Sequence, residues 1–377
     1  MRPALRSAAP RRSVLLLQSW WEDRVLRGVA RYARAHNWEL QCRMRWTHEV
    51  PRPGAWRGDG IIAFTGVSPE LRKAGAPLVA FVRATGLPVV ETQEFGNLFD
   101  APKVIVPHET VGRMAAEHLL GLRFAHLGFV TFEENLLERH RRQGFRRAVE
   151  RAGATFHALT RRGLRGALAR LPRPLALLAV NDINAVEVLQ LCRDAGCRVP
   201  EEVAVMGIDD AEIICDLAAV PLTSLNCDFE RQGFEAAALL DRLMNGERRV
   251  PRKIAVEPRG VTVRRSTDTI AIPDPEAARM LRLMRDRFRE PWTIQEIAGE
   301  LNLSLRRVHA AFRRQAGLSL LEELTRLRIA HAKTLLADTR LKLEAIAAES
   351  GFSSRFHFIR AFRRVTGRTP RTYRRTL

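Results

Sequence analysis

The chain has 377 residues, 46 % of them hydrophobic, with 62 Lys and Arg against 42 Asp and Glu for a formal net charge of +20. That length holds two or three domains, each able to bury its own core, and the balance of apolar and charged residues describes an ordinary soluble protein. No apolar run approaches the length of a bilayer, which excludes a membrane span and places the expected site of action in the cytoplasm.

Residues 1–12 read as a disordered arm. Arg11 and Arg12 ahead of Val14–Leu17 mimic a twin-arginine signal, but only four apolar residues follow before Gln18, and Glu22, Asp23 and Arg24 close the run. The pattern then predicts a strand at 14–17, a helix at 23–35 with Val25, Val29 and Tyr32 or Ala33 inward, and strands at 60–64 and 77–81. A helix at 110–120, a strand at 125–130, a helix at 140–151, a strand at 176–180, a helix at 183–194 and a strand at 203–208 follow. Continuous apolar strands separated by helices imply parallel sheets covered on both faces. A break near 104–107 divides them into two lobes with a cleft, and ligands in such folds bind at the carboxyl ends of strands. There is no Gly-rich phosphate loop, so no nucleotide is indicated, and no cofactor is expected. The five cysteines (Cys42, Cys192, Cys197, Cys215, Cys227) show neither metal-ligand spacing nor a CxxC pair, so they are expected to be reduced, buried thiols with no metal site.

The last hundred residues contain one helical unit twice, TIQEIAGELNLSLRRVHAAFRRQAG from Thr293 and KLEAIAAESGFSSRFHFIRAFRRVTG from Lys342. In the second copy Ile346, Ala347 and Phe352 can pack on Phe358 and Phe362, four apart on one helical face. Gly351 stands where the chain must turn, and Ser353 or Ser354 can cap the next helix. The first copy repeats this with Ser304 as cap and Val308 and Phe312 inward. Arg306, Arg307, His309 and Arg313 in one copy, and Arg355, His357, Arg360 and Arg363 in the other, are left outward. Arginine pairs bidentately with guanine or clamps phosphate, so two such helices suit two adjacent major-groove segments of double-stranded DNA. From Pro275 on there are 22 basic and 10 acidic residues, so +12 of the +20 lies there, the electrostatic footprint of phosphate binding.

The stretch 275–377 resembles an AraC-type DNA-binding domain. The resemblance rests on Arg328-Ile329-Ala330-His331-Ala332-Lys333-Thr334-Leu335-Leu336, then Ile346-Ala347, Gly351-Phe352, Phe358, Phe362 and Gly367-Arg368-Thr369-Pro370. It implies an all-α fold of seven helices, with a connecting helix at about 319–336 and base contacts from Arg306, His309, Arg355, His357 and Arg360. Ala310 stands where such domains often carry a long polar side chain.

Residues 13–265 resemble the LacI/GalR-type effector domain, a two-lobed α/β periplasmic-binding-protein-like fold. The matching runs are Gly58-Asp59-Gly60-Ile61-Ile62, Arg141 with Gly144-Phe145, Ala179-Val180-Asn181-Asp182, Gly207-Ile208-Asp209-Asp210 and Pro221-Leu222-Thr223-Ser224. This domain, a linker at 266–274 and the helical domain are together similar to the xylose operon regulator family. That resemblance implies a transcription regulator of a sugar-utilisation operon, most often an activator acting with RNA polymerase as a homodimer. It assigns a small sugar such as xylose to the cleft, with Arg141, Asp182 and Asp209 bonding hydroxyls, Trp20 and Trp21 walling the ring, and Asp23 and His108 beside them. His108 departs from the Asp usual there, which keeps alive an effector-independent architectural DNA binder with a vestigial cleft. An enzyme is not expected: Asp182, Asp209, Asp210, His108 and Glu109 form no nucleophile–base–orienter set, and no cysteine sits in an alkyl-acceptor motif.

Overall fold

The computed structural model describes residues 11–18, 22–42, 56–64, 79–95, 100–269, 271, 275–290, 292–316 and 319–374. The chain divides into two compact units, the larger running to Gly121 and over His126–Asp268, the smaller comprising Leu122–Ala125 and the residues from Thr269 on.

In chain order the larger unit begins β1 (Arg12–Gln18), α1 (Asp23–Ala35), β2 (Trp38–Gln41), β3 (Gly60–Phe64), a helix α2 at 79–85, β4 (Val89–Glu91) and β5 (Lys103–Ile105). It continues with α3 (His108–Gly121), β6 (His126–Thr131), α4 (Leu136–Arg151), β7 (Thr155–Thr160), α5 (Leu164–Arg170), β8 (Leu175–Ala179) and α6 (Asp182–Asp194). Then come β9 (Val203–Ile208), α7 (Glu212–Leu217), β10 (Thr223–Asn226), α8 (Phe229–Met244), β11 (Lys253–Ala255), β12 (Gly260–Thr262) and a 3-10 turn at Arg265–Thr267.

These strands form two sheets of six, β11-β5-β4-β3-β1-β2 and β12-β10-β9-β8-β6-β7, parallel except where β12 closes an edge against β10. The central strands are fully buried, Val14, Leu16, Leu17, Ile61 and Ile62 in one sheet and Leu177, Ala179, Val203 and Val205 in the other, because helices cover both faces. The chain passes between the lobes after β5, after β10 and after β11, so both lobes hang on three short crossings.

One helix pair in each lobe meets backbone to backbone. A Cβ added at Gly28 would stand 1.9 Å from the Glu230 carbonyl, and one at Gly233 1.9 Å from that of Val25, which locks α1 to α8. In the other lobe a Cβ at Gly112 would lie 1.9 Å from the Arg141 carbonyl, and one at Gly144 2.0 Å from that of Glu109, locking α3 to α4. These crossings bring Arg141 beside the start of α3 and Glu22–Val25 beside the start of α8.

Two expectations are corrected. The apolar run at 77–81 is not a strand where it is described: 79–85 is helical, with Phe81 and Val82 packed on Leu15, Leu17, Ile61 and Ala63. A five-residue apolar run does not separate a strand from a buried helix, and here Thr85 Oγ1 donates to the Val82 carbonyl at 2.7 Å before Gly86 turns at φ +62. Residues 77–78 lie outside the described residues. The linker expected from Ser266 starts later, because Ser266 and Thr267 are buried and Ser266 Oγ donates to the Val205 carbonyl at 2.6 Å.

The smaller unit holds seven helices among its described residues: α9 (Pro275–Arg287), α10 (Ile294–Glu300), α11 (Leu305–Ala316), α12 (Leu320–Asp338), α13 (Leu343–Glu349), α14 (Arg355–Thr366) and α15 (Pro370–Arg374). α12 belongs to two cores. Its Leu320 and Leu324 join Met280, Met284, Ile297, Val308 and Phe312, and its Ile329, Ala332 and Leu336 join Ile346, Ala347, Phe358 and Phe362. Capping boxes at Thr293/Glu296 and Ser319/Glu322 start α10 and α12, and Ser354, not Ser353, caps α14. Gly351 sits at φ +76, and a Cβ there would meet the Phe288 carbonyl at 2.3 Å, so this turn requires glycine. Among the described residues no helix is long and apolar enough to cross a membrane.

Gly144→Ala is expected to cost about 1–3 kcal/mol or more in urea unfolding, since the added methyl must push α4 off α3. An unchanged midpoint would contradict the close crossing.

Candidate ligand cavity and DNA-reading helices

A cavity of about 400 Å³ lies between the lobes of the larger unit. His108, Arg141 and Asp209 line it, together with Phe64 and Phe229, Glu22 and Glu94, and Asn135, Asn184 and Gln232. Its residues come from the ends of strands and the first turns of helices in both lobes, where parallel sheets present ligand groups.

Arg141 is its most constrained member, with 2 % of its surface exposed. Its Nη1 donates to the Val180 carbonyl, its Nη2 to Asp209 Oδ1 at 3.1 Å and its Nε to His108 Nδ1 at 3.3 Å. A ring nitrogen that accepts from a guanidinium carries no proton, so His108 is neutral. Burial first, then the charges of Arg141 and His140, hold its pKa well below the usual histidine value. The backbone N–H of His108 donates to Glu94 Oε2 at 3.1 Å, and Glu94 Oε1 lies 3.3 Å from Lys253 Nζ.

Asp209 has φ +105, a conformation that a side-chain-bearing residue keeps only when its surroundings impose it. Its N–H donates to the Leu225 carbonyl at 2.9 Å and its carboxylate accepts from Arg141. Its carbonyl accepts from Arg24 Nη1, which also donates to the Asp210 carbonyl at 3.0 Å. Enclosure raises the Asp209 pKa although Arg141 pulls it back. Arg24 belongs to the opposite lobe. Glu22 aligns it through bonds of 2.7 and 2.9 Å, and its guanidinium lies 5.0 Å from the centroid of the Phe229 ring. Burial works against the Arg24 charge, but Glu22 together with Asp209 and Cys227 outweighs it and the pKa is raised.

Two other expected ligand residues, Asp182 and Asp23, are not part of this lining. Asp182 is buried outside the cavity lining, and its carboxylate is already occupied: it accepts from Ser224 Oγ and, at 2.7 Å, from the Ala211 N–H. It braces the turn after β9. Asp23 is exposed in the first turn of α1 and lines, with Asp182, an adjoining recess that shares Glu22, Asn181, Asp209 and Phe229 with the cavity. Trp20 and Trp21 lie outside the described residues. Asp210 also serves the frame, taking Arg264 Nη1 at 2.9 Å and Thr262 Oγ1 at 2.6 Å.

The sequence reading missed the cavity's aromatic rings, Phe64 at the end of β3 and Phe229 at the start of α8. It missed Gln232, whose Nε2 donates to the Thr92 and Val104 carbonyls at 2.7 and 2.9 Å. It also missed Glu138, whose carboxylate accepts from the N–H groups of Phe132, Glu133 and Glu134 at 3.1–3.2 Å and so fixes the loop presenting Asn135. The one available signal was Glu138 three residues after the capping residue Asn135.

In the smaller unit Arg306, Arg307, His309 and Arg313 are exposed along α11, and Arg355, His357, Arg360 and Arg363 along α14. Two are already paired: Arg307 Nε lies 2.8 Å from Glu276, and Arg355 bonds Glu344. His357 Nδ1 lies 3.2 Å from Ser353 Oγ. Arg328 bonds the Phe288 and Glu290 carbonyls at 2.7 and 2.6 Å and so anchors the loop after α9.

Burial first, then the charge of Asp209, pushes the Asp182 pKa from 3.8 up to about 7. A raised carboxyl pKa adds stability below the unfolded value and loses it as the pH rises through the folded one. Relative to Asp182→Asn, the native chain should therefore be most stable below pH 3.8 and lose that advantage as pH rises through about 7, measured by denaturant midpoints across the range. Parallel pH profiles would contradict this.

Residues 116–267 match the periplasmic binding protein-like domain family, and residues 297–376 a helix-turn-helix domain family. The xylose operon regulatory protein of Escherichia coli strain K12 is 26 % identical over 369 residues, covering 94 % of each chain. The regulator CelR of Thermobifida fusca is 29 % identical over 199 residues, 50 % of this chain and 56 % of its own. Among solved structures, a xylose-binding transcription activator superposes with a TM-score of 0.58 at 23 % identity over 97 % of this chain and 98 % of its own. A CelR–cellobiose complex does so at 0.53 and 23 % over 68 % of this chain and 86 % of its own. The chain is thus a homologue of the xylose operon regulatory proteins, with a periplasmic binding protein-like domain followed by a helix-turn-helix domain.

Proposed function

We propose that the chain is a sequence-specific transcription regulator whose inter-lobe cavity takes a small neutral sugar and whose duplicated helix-turn-helix reads an operator. The carrying observation is the cavity itself. Its roughly 400 Å³ falls in the range of small-ligand sites, two aromatic rings offer apolar walls, and polar side chains from both lobes converge on it. Carboxylates outnumber cations there, with Glu22, Glu94, Glu133, Glu138 and Asp209 against Arg141. That balance suits hydroxyl donors and repels sugar acids and phosphates. The homologous protein is a xylose operon regulator and the fold relatives are xylose- and cellobiose-binding, which favours a sugar over other neutral ligands.

A ligand bonded to both lobes favours the arrangement in which Arg24 reaches the carbonyls of Asp209 and Asp210, and the three crossings are the hinge. Closure then changes operator binding. A homodimer would place two reading units on paired half-sites, with activation through RNA polymerase and action in the cytoplasm completing the reading. The rival is an effector-independent architectural binder, and one observation favours it: Arg141 spends its donors on protein groups rather than on the cavity.

Thermal unfolding against a panel of neutral pentoses and hexoses, sugar acids and sugar phosphates decides between them. A ligand at a hundred times its Kd stabilises by about 2.7 kcal/mol; stabilisation by one neutral sugar class, abolished in Asp209→Ala, is expected. A flat panel would leave the architectural reading. In the other unit, Arg360→Ala should cost about 1–3 kcal/mol of operator binding and relax one base position. Equal loss on all sequences would make Arg360 a phosphate clamp.

A further inference from the structure

The second reading helix carries a residue that the arginines do not explain. Phe356 is 81 % exposed, as exposed as any large apolar side chain of the described residues. It lies in the first turn of α14, two residues after the capping Ser354. At about 100° per residue it stands roughly 160° from Phe358 and 120° from Phe362, well away from the stripe that those two rings bury. Arg360, one turn further on, stands about 40° from it and Arg363 about 20°, so the ring is the centre line of an outward face flanked by guanidinium groups. Phe356, Ile359, Arg360, Arg363 and Arg364 line one shallow groove.

This inference rests on the DNA-reading function proposed above and sharpens it. The flanks of a helix lying in the major groove meet phosphates, and the centre line of its first turn meets base edges. Arg363 and Arg364 match phosphate in charge, and Arg360 is the base reader proposed above. The ring on the centre line then needs an apolar partner, and the major groove offers one such group, the C5 methyl of thymine. We infer that Phe356 reads the methyl group of one thymine in the operator half-site contacted by α14, giving a T·A preference that no hydrogen bond carries.

Selection from a pool of randomised DNA duplexes, using the full chain and Phe356→Ala with and without D-xylose, tests this. The native chain should enrich a motif with one fixed T·A column, and the variant the same motif with that column flattened. Replacing that thymine by deoxyuridine removes only the methyl. It should weaken the native chain about fourfold, the equivalent of one buried methyl-sized group, and leave the variant unchanged. An enriched motif whose columns are the same for both proteins, or equal native affinity for thymine and deoxyuridine, overturns the role of Phe356 alone. No enriched motif for the native chain overturns the DNA-reading function as well. Because Phe356 is exposed, its truncation leaves the helical cores intact, and unchanged thermal unfolding of the variant checks this.

Discussion

Asp209 ties the larger unit together. At φ +105 its backbone sits in a region that L-residues avoid, and it stays there because each polar group has a fixed partner. The N–H is held by β10, the carboxylate by Arg141 of its own lobe, and the carbonyl by Arg24 of the other. Arg141 is in turn almost fully enclosed, so its charge must be matched inside the protein, and a buried guanidinium that loses one partner is strongly destabilising. The relation between the lobes is thus read at one residue, and that residue faces the cavity. A ligand that competes for the Asp209 carboxylate, or bridges it to the opposite lobe, acts on the same bonds that hold the lobes.

Much of this layout is visible in the chain. The central strands of both sheets are continuous apolar runs, and the resemblance to LacI/GalR-type effector domains pointed to Asp209, Arg141 and His108, which line the cavity. The short strands β2, β4, β11 and β12 were not legible. Each is three or four residues long, with too few residues for a pattern to form. β7 has no fully buried position and lacks an apolar run. Residues 79–85 show the opposite ambiguity, a buried helix whose apolar residues imitate a strand.

Asp182 and Asp209 illustrate why site residues are harder to read than elements. Both follow a strand and precede a helix, yet Asp209 faces the cavity while Asp182 turns into the frame. The difference lies in Gly207, where a Cβ would stand 2.2 Å from Asp182 Oδ1. The missing side chain makes room for the Asp182 carboxylate against Ser224. Nothing in the local sequence of Asp182 announces this, nor that Phe64, Phe229 and Gln232 of one lobe would face Arg141 and Asp209 of the other. The glycines at 28, 112, 144 and 233 belong with them, since their meaning is a helix crossing rather than a turn. The duplicated helical unit was far more legible, because its caps, turn glycine and paired phenylalanines act within a few residues of one another.

A cavity built on the lobe contacts and two helices built to read DNA make one functional claim, that occupancy of the first changes the second. Thermodynamic linkage requires this coupling to be reciprocal. The most direct measurement is a pair of titrations on the full chain: operator duplex with and without the sugar that stabilises the protein, and that sugar with and without operator. The account predicts the same affinity ratio in both, within the roughly 5- to 150-fold span typical of allosteric coupling. A ratio of one in both titrations would contradict it, leaving a sugar-binding domain and a DNA-binding domain that share a chain without communicating.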